Sequence, residues 1–368
     1  MDITSFLDAY GEKTVICVLG LAAGLLFGVT AQRSRFCLRS AVIEFWRGTW
    51  GEKLSIWLLA FSAAVVCTQA FVALGWLDVS TARQLSARGS ISGALVGGLM
   101  FGVGMILTRG CSSRILILAA NGNLRALLSG LIFAVTAQAA MSGALAPMRE
   151  TITGLWTVEG GAARDLLAAF HVGHVGGIVF GCSWLVVGIH LVRKHAVSMR
   201  GIVGAVGVGL AVALSWLVTF TVGRQSFDPI PTQSLSFTGP SADMLMLVLV
   251  PVGKSFDFDT GLLPGVAIGS FLAALFAREL KLEGFKDGPS MRRYIAGGML
   301  MGFGGMLAGG CAVGNGVSGA SVFSLTAWIA LLGMWVGAGL TDWWFDRRLD
   351  NRARLAIVSG EEAVPVAP

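Results

Sequence analysis

Charged residues are scarce in this sequence of 368 residues: Asp, Glu, Lys and Arg together make up 13%, about half the share found in a soluble domain. Proline (9), histidine (4) and tyrosine (2) are also few, whereas 55% of the residues are hydrophobic and the mean hydropathy is +0.75. This balance excludes a soluble enzyme, a disordered chain and a nucleic-acid-binding domain, despite a net charge of +6. The composition predicts an all-α polytopic membrane protein whose surroundings are lipid.

Several motifs of enzyme and metal chemistry are also missing. The sequence contains no Cys-x-x-Cys pair, no phosphate-binding Gly-x-x-x-x-Gly-Lys loop and no His-Glu-x-x-His pattern. These absences argue against a thioredoxin-like, ATPase or metalloprotease site. We therefore expect a protein without cofactor, resident metal or enzymatic activity.

Nine apolar segments are predicted to span a membrane. They lie at 14–31, 54–77, 91–107, 124–145, 173–192, 201–222, 260–277, 294–308 and 324–345. Three shorter apolar runs, at 111–120, 241–251 and 311–323, are predicted to be re-entrant segments or half-helices. We expect a single transmembrane domain over residues 1–368, ending in a tail at 346–368.

Basic residues divide the connecting segments into two groups. Of the 27 lysines and arginines, 20 fall in the loops at 33–53, 109–125, 193–200 and 278–293 and in the tail, and 7 fall on the other side. The positive-inside rule then predicts an external N-terminus and a cytoplasmic C-terminal tail. The long segments at 146–172 and 223–259 are predicted to form an external vestibule.

An internal repeat ends at three cysteines. In each copy a Gly-x-x-x-Gly pair stands 13 and 9 residues before Cys37, Cys111 or Cys311. Repeat units are thus predicted near 20–47, 94–123 and 294–323, and a weaker one near 173–200 has His190 in place of the cysteine. Glycines four residues apart let helices approach closely. The residues just before each cysteine indicate a break in the helix.

Each of these cysteines is expected at, or just before, the N-terminus of a half-helix. Free N–H groups and the helix dipole make such a terminus an anion site, and a thiol adds a weak, soft donor. The candidate substrate-binding residues are Cys37, Cys111, Cys311, Gly110, Gly310 and Arg109. The remaining cysteines, Cys17, Cys67 and Cys182, lie in apolar runs and are expected to be packing residues. The pattern indicates passage of a small, soft anion without distinguishing thiosulfate, sulfide, selenite or a persulfide carrier.

Five stretches of the sequence are distinctive. They are GGMLMGFGGMLAGGCAVGNGVSG at 297–319, SRFCLRSAV at 34–42, GVGMILTRGCSSR at 102–114, SFTGPSAD at 236–243 and FDTGLLPGVAIGSFLAA at 258–274. Through these stretches the chain resembles, over nearly its whole length, the YeeE/YedE family of sulfur-transport membrane proteins. The resemblance implies an inner-membrane protein that takes up thiosulfate or a related ion, with Cys37, Cys111 and Cys311 as relay points. It also implies a cytoplasmic TusA-like sulfurtransferase as a partner, and in some relatives a link to selenium.

Two other classes of function stay open from the residues alone. In a membrane thiol protein the cysteines would carry sulfur or selenium covalently, as persulfides, to a cytoplasmic acceptor, which thiolates of low pKa would favour. A structural subunit of a larger transporter is the other class, and nine spans with an internal repeat argue against it. Replacement of the cysteines by serine separates hydrogen bonding from covalent transfer, because a hydroxyl still donates a hydrogen bond but forms no persulfide.

Overall fold

The computed structural model describes residues 9–250, 256–284 and 288–347. Its long helices are α1 (Glu12–Ser34), α3 (Glu52–Ala73), α5 (Ile91–Leu107), α7 (Leu124–Ser142), α10 (Gly173–Lys194), α11 (Met199–Gln225), α13 (Phe258–Phe276), α14 (Gly288–Leu307) and α15 (Leu325–Thr341). Its short helices are α2 (Leu38–Trp46), α4 (Arg83–Ser86), α6 (Ser112–Ala120), α8 (Ala146–Gly154), α9 (Leu166–Ala169) and α12 (Thr238–Leu249), with a 3-10 turn at Gly161–Arg164 and π-helical turns at Gly314–Gly319 and Asp342–Asp346. Two-residue strands β1 (Gly89–Ser90) and β2 (Thr157–Val158) pair antiparallel.

Eight helices within the described residues are long and apolar enough to cross a membrane. Two of them join a long helix to the half-helix that follows, Glu12–Trp46 and Ile91–Ala120. The chain is therefore an all-α, multi-pass membrane protein, as predicted. The ninth predicted span, at 294–308, belongs to α14, which falls below this measure because its first turns include two adjacent arginines. α14 nevertheless packs along the length of α5.

The short apolar runs differ in their structures. Those at 111–120 and 241–251 correspond to the half-helices α6 and α12, whereas the run at 311–323 contains the π-helical turn. The weaker fourth unit lacks a break, because α10 continues without interruption through His190. The predicted tail at 346–368 lies outside the described residues apart from its first two.

Glycine faces join the helices that run side by side. A Cβ atom built at Gly24 of α1 would overlap the Leu262 carbonyl oxygen of α13 and stand 2.9 Å from the Val266 nitrogen. The contact is reciprocal, since a Cβ at Gly265 would overlap the Leu21 carbonyl oxygen. The pair α5 and α15 packs in the same way. The Gly-x-x-x-Gly pairs of the repeat thus bring two helix backbones into direct contact.

The second and third repeat units lie antiparallel to each other. A Cβ at Gly93, in the first turn of α5, would stand 2.6 Å from the Leu307 carbonyl oxygen at the end of α14. At the other end, a Cβ at Gly297 would stand 2.8 Å from the Thr108 methyl group. The helix breaks after α5 and α14 therefore lie at opposite ends of this helix pair.

Candidate functional site

All three repeat units end in the same backbone turn. The second residue before each cysteine has a positive φ, 53° at Arg35, 57° at Arg109 and 74° at Gly309. In the second unit the Gly110 N–H bonds the Met105 carbonyl at 3.1 Å, and the Arg109 N–H bonds the Ile106 carbonyl at 3.2 Å. The other two units make the same pair of bonds, which is the Schellman pattern of helix termination. The predicted helix breaks are therefore present at all three cysteines.

At each break, a polar side chain forms a hydrogen bond with a backbone carbonyl. Asn315 donates from Nδ2 to the carbonyls of Ala308 (3.1 Å) and Gly310 (2.9 Å). The Thr108 hydroxyl lies 2.9 Å from the Gly110 carbonyl oxygen, and the Ser34 hydroxyl donates back to its own helix. The bonds of Asn315 and Thr108 reach carbonyls at or beyond the helix ends, which the helices leave without a partner, and so help to hold these two breaks in place.

Cys37 and Cys111 meet directly. Their sulfur atoms are 3.8 Å apart, and both residues are buried. Each is the N-cap of a nine-residue half-helix, Cys37 for α2 and Cys111 for α6. All six cysteines are free thiols. The two half-helix N-termini thus place a pair of soft donors at one point, although 74 residues separate them in sequence.

Cys311 lies in a different environment. Its sulfur accepts hydrogen bonds from the backbone N–H of Phe237 (3.3 Å) and of Gly314 (3.4 Å), and its side chain is fully buried. Phe237 precedes α12, and Gly314 begins the π-helical turn. Because both amides donate to the sulfur, the S–H remains available as a donor.

Aromatic rings connect the two cysteine positions. Phe237, whose amide contacts Cys311, packs its ring 5.2 Å from that of Phe27, and Phe27 lies 6.5 Å from Phe36, the neighbour of Cys37. The rings of Phe27 and Phe237 are at most 1% exposed. The three cysteines belong to one buried cluster, in which these rings link the surroundings of Cys311 to those of the thiol pair.

A cavity of about 600 Å³ lies beside the Cys311 break. Gly310, Gly314 and Thr238 line it near Cys311. Both long segments that were predicted to form a vestibule contribute to it, and we name this cavity the vestibule. Its charged lining residues are Arg83, Arg88, Arg149, Arg164, Glu150, Asp243 and Asp259.

Arg164 is a buried cation in the vestibule wall. The residue is 7% exposed, and its guanidinium donates to the Ala87 carbonyl (2.6 Å) and the Thr326 hydroxyl (2.5 Å). Its Nε has no hydrogen-bond partner, and no ion pair joins it to a described carboxylate. Burial, and to a smaller extent the charge of Arg83, lower the pKa of Arg164. An anion that enters the vestibule would offset the repulsion between the positive charges of Arg164 and Arg83.

Comparison with known proteins identifies the family. The family described as Sulphur transport matches residues 33–340. This chain belongs to the sulphur transport family. Among its relatives, the thiosulfate transporter TsuA of Escherichia coli (strain K12) is 26% identical over 358 residues, covering 92% of this chain and 97% of that protein. The thiosulfate transporter TsuA of Spirochaeta thermophila is 25% identical over 345 residues, covering 87% and 97%. These names describe transporters, in agreement with the expectation of a protein that is not an enzyme.

In this member of the sulphur transport family, the predicted residues fall into separate groups. Cys37 and Cys111 lie together, whereas Gly310 lines the vestibule next to the buried Cys311. Arg109 and Gly110 form the turn before Cys111, and Arg109 is half-buried. The structure does not place Cys311 in contact with the thiol pair.

Sequence reasoning did not select three polar residues near the thiols. Ser113 lies 3.5 Å from the Cys111 sulfur, Ser112 is buried in the first turn of α6, and Arg114 follows them. Arg114 was interpreted only as a topology signal. The stretch Cys-Ser-Ser-Arg, which places donors immediately after a predicted break, contained the information needed to find them.

Proposed function

We propose that this protein takes up thiosulfate, or a closely related small sulfur-containing anion, across the inner membrane through a cysteine relay. The observation that carries the proposal is the repeated turn that presents Cys37, Cys111 and Cys311 at breaks inside the helix bundle. Irregular backbone at membrane depth is tolerated where protein covers it or where it lines a path. The names of the two relatives support thiosulfate as the substrate.

The anion enters by the vestibule. Four arginines and three carboxylates line it, and one of the arginines, Arg164, is buried without a carboxylate partner among the described residues. A cleft lined by cations within low-dielectric walls concentrates anions. At the end near Cys311, the S–H of that residue donates to the terminal sulfur of thiosulfate, and the amides of the break remain near its oxygens.

The pair of thiols, Cys37 and Cys111, forms the next binding site along the path, and we call each such site a station. Cys37 and Cys111 offer two S–H groups within 3.8 Å, at two half-helix N-termini whose dipoles favour an anion. Gly110 and Gly310 keep the backbone open beside Cys111 and Cys311, and Arg109 adds positive potential at the inner break. Each station binds weakly, since conduction requires release as well as binding.

We infer the orientation of the protein in the membrane from the charge asymmetry of the loops. With 20 basic residues on one side and 7 on the other, we assign the N-terminus to the outside, the C-terminus to the cytoplasm and the vestibule to the external face. A cytoplasmic TusA-like sulfurtransferase is then the proposed acceptor of the imported sulfur.

Uptake of labelled thiosulfate into proteoliposomes tests the proposal. We expect Cys37→Ala, Cys111→Ala and Cys311→Ala to lose most uptake at normal expression. The matched controls Cys17→Ala, Cys67→Ala and Cys182→Ala remove the same group elsewhere and should transport almost normally. Near-normal uptake by Cys111→Ala and Cys311→Ala would contradict the relay. Comparing vesicles with and without a proton gradient shows whether transport is coupled.

The closeness of Cys37 and Cys111 also favours one alternative, covalent transfer of sulfur. A thiolate would take the sulfane sulfur of thiosulfate as a persulfide and release sulfite, and the second thiolate would then take the sulfur from the first. Serine variants decide between the two functions. Partial uptake in Cys37→Ser or Cys111→Ser supports hydrogen bonding, whereas complete loss together with sulfite release by the unaltered protein supports the covalent route.

A further inference from the structure

An arginine stands beside the thiol pair in an unusual position. Arg114 is the third residue of α6, and a Cβ built at Gly110 would lie 3.9 Å from its Cβ. It is half-buried and lies near both Cys37 and Cys111, so its positive charge would act on a negative charge placed between them. The first turn of a helix favours acidic side chains because the helix dipole is positive there. A cation at this place adds to the positive potential of the terminus.

Among the residues that the structure describes, no carboxylate bonds the Arg114 guanidinium directly. Among the described residues, Arg114 makes one hydrogen bond, to the neutral amide oxygen of Gln32 at 3.3 Å. The amide nitrogen of Gln32 donates to Glu279 at 3.0 Å, and Glu279 in turn pairs with Arg35 at 3.7 Å. Glu279 therefore pairs with Arg35 and acts on Arg114 only at longer range, so Arg114 makes no direct ion pair among the described residues.

A buried hydroxyl in the same turn is also without a partner. Ser112, the first residue of α6, is 5% exposed, and its Oγ makes no hydrogen bond among the described residues. A buried polar atom without a partner is costly in a folded protein. An oxyanion at the N-terminus of α6 would satisfy this hydroxyl, the free N–H groups of the turn and the guanidinium together.

We propose that Arg114 and Ser112 complete an inner anion subsite at the Cys37–Cys111 pair, with Gln32 holding Arg114 while the subsite is empty. Arg114 and Ser112 bind the oxygens of the substrate, and the two thiols contact its soft terminal sulfur. The ligand class is a small tetrahedral dianion with one sulfur in place of an oxygen. This inference rests on the proposed function and adds the group that supplies the counter-charge.

The subsite explains why Arg109 and Arg114 are not equivalent. Arg109 occupies the left-handed position of the helix-terminating turn, with φ of 57°, so its backbone shapes the break. Arg114 follows the thiol within the half-helix itself. The direct contact with substrate is therefore assigned to Arg114.

The test combines uptake with protection of a thiol. In a background lacking Cys17, Cys67 and Cys182, thiosulfate should slow alkylation of Cys111 by N-ethylmaleimide, and sulfate at equal concentration should protect less. We expect Arg114→Gln to lower uptake at least tenfold and to abolish protection, and Arg114→Lys to retain part of both. The matched control is Arg125→Gln, which removes a half-buried arginine that stacks on Tyr294 at 5.2 Å and should change neither.

Two further variants make the outcomes distinct. Ser112→Ala should weaken protection several-fold, and Gln32→Met, which frees Arg114 without removing it, should give protection at lower thiosulfate concentration. Normal uptake and protection in Arg114→Gln, while Cys111→Ala is inactive, would overturn the subsite and leave the relay standing. An equal loss in Arg114→Gln and Arg125→Gln would also overturn it. Normal uptake in Cys37→Ala and Cys111→Ala would instead refute the proposed function.

Discussion

The contact between α1 and α13 gives a quantitative prediction for the variant Gly24→Ala. The new Cβ would overlap the Leu262 carbonyl oxygen and stand 2.9 Å from the Val266 nitrogen and 3.1 Å from the Gly265 Cα. Carbon atoms pack at about 3.5–4.0 Å, so the helices must separate by about 0.5–1 Å. The atoms that are met belong to backbone, and no flexible side chain can yield in their place.

The expected cost follows from two opposing effects. Overpacking a well-packed contact costs about 1–3 kcal/mol, and the upper part of this range applies because backbone meets backbone. Alanine recovers about 1 kcal/mol through its better helix propensity. We therefore expect Gly24→Ala to lower the free energy of unfolding by about 1–2 kcal/mol. Because α1 leads to Cys37, uptake per folded molecule should fall as well.

Gly188→Ala in α10 provides the matched control. It is also a glycine in the middle of a spanning helix, but its Cβ would meet the nearest atom, Leu59 Cδ2, at 3.4 Å, which is an ordinary contact. The substitution should be neutral or stabilise by up to about 1 kcal/mol. Reversible unfolding in SDS, followed by far-UV circular dichroism, measures both variants. If Gly24→Ala proves as stable as Gly188→Ala, the close approach of α1 and α13 is not required by the fold.

Three further predictions concern stability and topology. The Asp342 side chain is 1% exposed and accepts two hydrogen bonds from the Arg47 guanidinium, at 2.7 and 2.9 Å. Asp342→Asn should therefore lower the free energy of unfolding by about 3 kcal/mol. In the same unfolding assay, the double variant with Arg47→Gln should recover part of this loss. A reporter fused to the C-terminus should be active only in the cytoplasm, and an extracytoplasmic signal would contradict the assigned orientation. Single cysteines introduced at Ser236 and Val250, on either side of the 12-residue helix α12, should be labelled from the same side of the membrane. A helix of about 18 Å cannot cross a bilayer core of about 30 Å. Labelling from opposite sides of the membrane would show that this segment crosses.

The membrane class, the helical spans and the position of every break follow from local properties of the chain. Hydropathy over about 20 residues marks a span. The identical spacing of glycines and cysteine in three copies was sufficient to predict a helix break near Cys37, Cys111 and Cys311, and the structure has a left-handed residue two positions before each of them. The exception is α14, where two arginines near its start make the apolar stretch too short for the hydropathy measure.

The meeting of particular cysteines depends instead on how the helices pack. Most of these helices are apolar on every side, so the periodicity that marks the buried face of a soluble helix gives no pairing information. The antiparallel contact of α5 with α14 puts Cys311 next to the vestibule, and the two half-helices α2 and α6 bring Cys37 within 3.8 Å of Cys111. The neighbours of Arg114 were set in the same way, since Gln32 and Glu279 come from distant parts of the chain. The sequence alone thus determined which residues sit at helix breaks, while only the tertiary structure decided which breaks face one another, because backbone termination is local and helix packing is not.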